Sequence, residues 1–273
     1  MVTLMNSNSH PWSEKETKKI NKSLKNSRFG PVIYTTETGS TNTDLLNQVS
    51  KNISDETVLV TGYQKTGRGR LDRHWEAPPD TNLLFSVLLY PKIKVEKIPL
   101  ITPALASALI DVLESYGLEA GMKWPNDVLL TGNSSGKVAG ILAEIADTET
   151  PTVVIGMGCN VAWPEMKSSD LPNATSLLAA GKKIKPSILL RAILLNFEKY
   201  LTLLEQAQGA ENLREILLQK SATIGKKVSV QQSNTTISGK AVDLRANGAL
   251  VVESSDGLHH VMAGDITHLH VEE

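Results

Sequence analysis

Cysteine is nearly absent from this chain, neither charge sign prevails, and no standard nucleotide loop is complete. The single cysteine among 273 residues, Cys159, excludes an intramolecular disulfide. Lys and Arg total 28 against 29 Asp and Glu, so the net charge of −1 offers no general basic field of the kind nucleic-acid binders use. Any cationic site must therefore be local. No apolar segment reads as long enough to span a bilayer, and the N-terminus does not resemble a signal peptide, so a cytoplasmic protein without membrane contact is expected. The segment GRGRLD at 67–72 begins like a dinucleotide fingerprint, but a third glycine is missing and Pro78-Pro79 stand where its helix would follow. GNSSGKV at 132–138 is one residue too short between its glycines for a phosphate loop, and Val138 occupies the place of the magnesium-binding Ser or Thr.

What remains suits a folded domain with a sizeable core, at 41% hydrophobic and 21% charged residues. Residues 1–29 are expected to form a solvated basic arm. They carry Lys15, Lys18, Lys19, Lys22, Lys25 and Arg28 against Glu14 and Glu16, with few apolar residues to pack and no room for a helix-turn-helix. From residue 32 strand-like runs alternate with helical ones. VIYTT, TVLVTGY, NLLFSVLLY, AGMKW, KVAGILAEI and TVVIGMGCNVA read as strands. STNTDLLNQVS reads as a helix capped by Ser40 or Thr41, TPALASALIDVLESYG as one ended by Gly117, and PSILLRAILLNFEKYLTLLEQ as a long amphipathic one opened by Pro186. The expected class is α+β or mixed α/β, a sheet covered by helices over residues 30–220. After residue 221 short strands and the turn pairs Asn247-Gly248 and Asp256-Gly257 predict a small β-barrel to residue 273.

Glycines and cations recur together. GRGR at 67–70 places two guanidinium forks on a flexible backbone, which suits an anion. KWPND at 123–127 sets a cation, an amide and a carboxylate at a rigid turn. GKVAGILAE puts Lys137 at the head of a strand whose Ala139 and Gly140 keep the surface low, and IGMGCN repeats the device before Asn160. Taken singly, each reads as well as a solvated turn or close strand packing. His259-His260 and His268-x-His270 lack acidic or cysteine partners for a metal, and Cys159 reads as a small core residue.

In this order, STN (40–42), GRGR, KWPND, KVAGIL and IGMGCN with a C-terminal barrel resemble the biotin protein ligases, over residues 30 to 270. The resemblance implies a fold related to lipoyl ligases and class II aminoacyl-tRNA synthetases, with an SH3-like barrel. It implies that biotin and ATP form biotinyl-5′-adenylate with Mg2+, and that the biotinyl group passes to a lysine of a biotin carboxyl carrier domain. Such chemistry joins two anions and needs fixed cations more than a base. By the same resemblance Ser40, Thr41, Asn42 and Gln64 hold the ureido head of biotin. Gly67, Arg68, Gly69 and Arg70 fold over carboxylate and phosphate, Lys137 lies between them, and Gly140 and Gly156 floor the slot. Arg68, Arg70 and Lys137 are then the catalytic cations. Trp75, Asn126, Asp127 and Asn160 lie on the nucleotide side, with Asp127 the candidate magnesium ligand. The short arm implies the monofunctional form, without the DNA-binding domain of the family's repressors, and Leu71 departs from a further arginine found there. A lipoate or octanoate ligase on the same scaffold is the alternative, and monomer and homodimer stay equally open. The glycines imply that residues 65–75 are poorly ordered until ligand closes them.

Overall fold

A computed structural model describes residues 12–49, 56–147, 151–163, 173–232 and 235–269. In chain order the elements are α1 (Glu14–Ser23), β1 (Val32–Thr38), α2 (Thr41–Leu46), β2 (Val58–Gln64), β3 (Asn82–Leu89), α3 (Ile101–Ser115), β4 (Ala120–Lys123), β5 (Asp127–Leu130), β6 (Gly136–Asp147) and β7 (Thr152–Asn160). Helices α4 (Pro186–Leu204) and α5 (Gly209–Gln219) follow. The C-terminal strands are β8 (Lys227–Gln231), β9 (Thr236–Leu244), β10 (Leu250–Ser254), β11 (Gly257–Val261) and β12 (Asp265–His268). The first seven strands form one sheet in the order β1-β2-β3-β7-β6-β5-β4, parallel only between β1 and β2. The last five form an antiparallel sheet in the order β11-β10-β9-β8-β12. This is the expected mixed sheet with a small β-rich C-terminal unit.

Alternation along the central strands assigns their two faces. Leu83, Phe85, Val87 and Leu89 of β3, and Val153, Ile155, Met157 and Cys159 of β7, enter the main core with α3 and α4. The opposite face carries Leu88 and Val154, which α2 covers through Leu45, and further along it carries Ser86, Gly156 and Gly158. Apolar cover therefore gives way to small residues along one face of the same strands, and the candidate site opens there. Cys159 is fully buried, and burial pushes its thiol up to about 12, so it packs as a small apolar group.

Two expectations need correction, and one helix was not expected. Residues 12–29 are not a solvated arm. The lysines face water, but Trp12, Ile20, Leu24 and Phe29 are buried in the core, Ile20 and Leu24 one helical turn apart. Trp12 stacks on Tyr34 with ring centroids 5.6 Å apart, Ser187 donates to Glu16 at 2.7 Å, and Arg28 pairs with Glu56 and Glu205. Next, α5 has no counterpart in the sequence reading. It begins at Gly209, where a Cβ would come within 1.9 Å of Leu203 O, so the turn out of α4 admits only glycine. Finally, Val95–Ser115 is apolar and long enough to cross a membrane by length and composition, yet α3 supplies eleven buried residues to the core.

Asn21 closes the open edge of β1. Its side chain accepts from Val32 N–H at 2.8 Å and donates to Val32 C=O at 2.9 Å, which stands in for a neighbouring strand. Asn21→Ala is expected to cost about 1–3 kcal/mol by leaving both groups unpaired. The check is the urea midpoint; an unchanged midpoint would show that water replaces the amide at no cost.

Candidate functional site

One cavity of about 290 Å³ lies on the face where β3, β7 and β6 carry small residues. Register makes it flat: Gly140 faces Gly158 across β6 and β7, and Gly156 faces both Ser86 and Leu142. A Cβ at Gly140 would meet the Trp75 ring at 2.8 Å and one at Gly158 would meet it at 2.4 Å, so the indole lies directly on the glycine strip. Its Nε1 is buried and has no hydrogen-bond partner. Gly156 serves a different neighbour, since its Cβ would come within 2.2 Å of Asn42 Oδ1.

A register shift between β5 and β6 aims the central cation. Val128 pairs with Ala139 but Leu129 pairs with Lys137, which leaves Val138 as the extra residue of a bulge. Lys137 and Gly140 stand three apart and would otherwise point to opposite faces. With the bulge, the Lys137 Nζ would lie 3.3 Å from a Cβ at Gly140, and it sits 5.3 Å from the centroid of the Trp75 ring. It pairs with Asp127 at 2.7 Å.

Two linked groups of side chains line the cavity. The first is neutral. Gln64 Oε1 accepts from Thr41 N–H at 2.8 Å, Thr41 Oγ1 lies 2.6 Å from Ser86 Oγ, and Ser86 donates to Asn42 Oδ1 at 2.6 Å. Ser40 occupies the N-cap position of α2 without a side-chain cap bond. The second group is charged. Arg70 donates to Gly264 O at 3.2 Å and approaches Asn126 Oδ1 at 3.4 Å, while Asn126 donates to Ile141 O at 2.8 Å. Burial pushes the Arg70 guanidinium below its usual value, Arg73 adds to the fall, and Asp265 and Asp127 oppose it. A cation so poorly solvated favours an approaching anion. Between the groups, Glu144 Oε2 accepts from Asn42 Nδ2 at 2.7 Å and from Arg68 Nη2 at 2.8 Å.

In this structure residues 65–75 take a hairpin conformation. Trp75 N–H donates to Gly67 O at 3.0 Å, Gly69 N–H to Arg73 O at 2.7 Å, and Arg68 bridges to His74. Arg73 pairs with Asp265 of the C-terminal sheet, which ties the hairpin to that unit alongside the Arg70 bond. Gly67 is sterically required, since a Cβ there would come within 2.5 Å of Trp75 O, whereas at Gly69 the nearest contact is an ordinary 3.4 Å. Leu71 sits at φ 55° in the left-handed region and is exposed.

Of the residues expected on sequence grounds, Ser40, Thr41, Asn42, Gln64, Arg68, Gly69, Arg70, Trp75, Asn126, Asp127, Lys137, Gly140, Gly156 and Asn160 all line the cavity; Gly67 shapes the hairpin from behind. Asn160 is largely committed elsewhere, accepting from Asn82 at 2.9 Å and donating to Thr175 O at 3.0 Å. Sequence reasoning missed Ser86, Glu144 and Asp265. Ser86 lies within an apolar run and Asp265 far along the chain, so neither carries a local signal. For Glu144 the available signal was the alternation in GKVAGILAE, which puts it on the face of Gly140. Among the histidines, His259 bonds Ser254 and Asp256 in a hairpin and His268 contacts Thr223, while His270 lies outside the described residues.

Known proteins resemble this chain over most of its length. Residues 29–160 match the biotin/lipoate A/B protein ligase family, and residues 223–269 match the biotin protein ligase C-terminal domain. The chain is 33% identical to a biotin acetyl-CoA-carboxylase ligase of Mycobacterium tuberculosis, over 85% of this chain and 87% of that one. It is 31% identical to the bifunctional ligase/repressor BirA of Bacillus subtilis, over 86% of this chain and 73% of that one. Among solved structures, biotin protein ligase from Aquifex aeolicus in complex with biotin and ATP superimposes with a TM-score of 0.77 at 26% identity, covering 88% of this chain and all of that one. The matches take in both sheets and every side chain of the cavity wall except those between residues 161 and 222, and the chain belongs to the biotin protein ligase family.

Proposed function

We propose that this ligase joins biotin to ATP as biotinyl-5′-adenylate and passes the biotinyl group to a lysine of a biotin carboxyl carrier domain. The observation that carries the reading is the pairing, in one cavity, of a neutral hydrogen-bonding group with a cluster of cations. A ureido ring suits the first, since it would cost several kcal/mol to bury without partners. A carboxylate meeting a phosphate suits the second. Relatives named as biotin acetyl-CoA-carboxylase ligases, and a neighbour solved with biotin and ATP, support both substrates and the carrier.

In the first step a carboxylate oxygen of biotin attacks the α-phosphorus and pyrophosphate departs with the electrons of the broken P–O bond. Lys137 and Arg70 lie where negative charge gathers, and the Trp75 indole and the hairpin exclude water. In the second step the carrier amine attacks the anhydride carbonyl, AMP leaves, and the amine proton passes to solvent. Three carboxylates line the cavity, Glu76, Asp127 and Asp265, and among the described residues no group of three or more His, Cys, Asp or Glu assembles a metal cage. That donor set fits magnesium, which binds through one or two carboxylates and the phosphates themselves. Asp127 would hold it once Lys137 turns to the ligand, and when bound the ion would offset phosphate charge.

Three outcomes follow from this reading. Pyrophosphate should be released from ATP with biotin and not with lipoate or octanoate; release with lipoate alone would replace the substrate. Lys137→Ala should slow single-turnover adenylation by about 100-fold or more while biotin Kd rises only a few-fold, because the ammonium acts on charge that develops during reaction. A near-normal rate would remove Lys137 from the chemical step. Gly67→Ala should speed proteolytic nicking between residues 65 and 75, while Gly69→Ala nicks at close to the native rate; equal effects would refute the steric role of Gly67.

A further inference from the structure

We propose that Glu144 fixes the proton direction along Asn42, Ser86 and Thr41, so that the Thr41 hydroxyl faces the ligand as an acceptor and selects a ring N–H. The inference rests on the biotin reading above. Proton counting carries it. Glu144 Oε2 and Leu142 O both accept from Asn42 Nδ2, at 2.7 and 3.1 Å, which uses both amide protons and turns Oδ1 toward Ser86. The reversed amide would set its oxygen 2.7 Å from a carboxylate oxygen that also receives Arg68. Since Asn42 Oδ1 only accepts, Ser86 spends its single hydroxyl proton there, across 2.6 Å. The 2.6 Å contact between Ser86 and Thr41 must then carry the Thr41 proton.

Nothing is left for Gln64 Oε1, which lies 3.0 Å from Thr41 Oγ1 and takes the Thr41 amide N–H at 2.8 Å instead. Thr41 Oγ1 thus offers the ligand lone pairs, and Gln64, its oxygen engaged, offers its Nε2 protons. A ureido ring presents the complement, N–H donors and a carbonyl acceptor. A dithiolane ring presents no N–H, so it leaves the acceptor lone pairs of Thr41 without a donor in a buried place. Ser86 and Asn42 are 0% and 4% exposed, so water cannot reset the direction of the chain. Glu144 is a positioning residue in this scheme, acting through Thr41 and never touching the ring.

The test compares kcat/KM for biotin with that for the cyclic carbamates in which oxygen replaces one or the other ureido N–H. The native enzyme should prefer biotin over one of them by about 100-fold or more. Glu144→Ala should lower that preference by about tenfold or more, because only the longer 3.1 Å bond to Leu142 O then opposes reversal of Asn42 and, through it, of Thr41. Glu144→Gln, whose Oε1 still accepts from Asn42, should keep the preference within about threefold. Ser86→Ala, a loss of one buried oxygen that the fold should tolerate, should lower it as Glu144→Ala does. A merely structural role would depress both substrates alike and leave the ratio unmoved. An unchanged ratio in both alanine variants, or loss of the preference in Glu144→Gln, overturns the proposal. Failure of the native enzyme to adenylate biotin would instead refute the reading on which it rests.

Discussion

Gly140 and Gly158 face each other where β6 meets β7, and without side chains there the sheet presents bare backbone to whatever lies above it. In this structure the Trp75 indole lies there, close enough that any Cβ would collide. The rest of the site takes its position from that strip. Its depth sets the height at which Lys137 crosses the Trp75 ring, and the bulge at Val138 is what brings Lys137 to the same side. The next pair along β7, Gly156 with Ser86, leaves room for Asn42 and hence for the hydrogen-bonded group of α2.

The cations are held in readiness by carboxylates. Lys137 rests on Asp127, Arg68 on Glu144 and Arg73 on Asp265, so the site carries strong positive groups without large uncompensated charge. Each pair is partly open to solvent, which keeps its strength modest and lets an incoming carboxylate or phosphate compete for the cation. The C-terminal sheet takes part directly, through Gly264 O on Arg70 and Asp265 on Arg73. The chain entering that sheet and its β9–β10 turn also fix the KWPND turn, where Thr223 Oγ1 accepts from Trp124 N–H at 3.1 Å and Gly248 O accepts from the indole N–H at 3.1 Å. The small sheet is thus part of the site's frame.

Much of this was legible in the sequence because the signals are local. Strand-like apolar runs marked β3, β6 and β7, Gly117 ended its helix close to the expected place, and the glycine-cation segments converged on one cavity. The rest depends on contacts distant in sequence. Residues 12–29 looked solvated because their charge is conspicuous while Trp12, Ile20, Leu24 and Phe29 are spread thinly; only packing against β1 and α4 makes them a core. The glycines of GRGR suggested freedom, yet Gly67 is there for a close backbone approach to Trp75. Ser86 and Asp265 could not be found from their neighbours, because the first acts across to α2 and the second reaches back nearly two hundred residues to Arg73.

The central claim is that a carboxylate oxygen and the α-phosphorus are brought together among these cations before any amine takes part. Biotin labelled with ¹⁸O in both carboxylate oxygens tests it directly, with ATP and a carrier domain present and the products read by mass spectrometry. Attack of the carboxylate on the α-phosphorus predicts AMP carrying one ¹⁸O for each carrier lysine modified, and unlabelled pyrophosphate. Unlabelled AMP, or label in pyrophosphate, would contradict it.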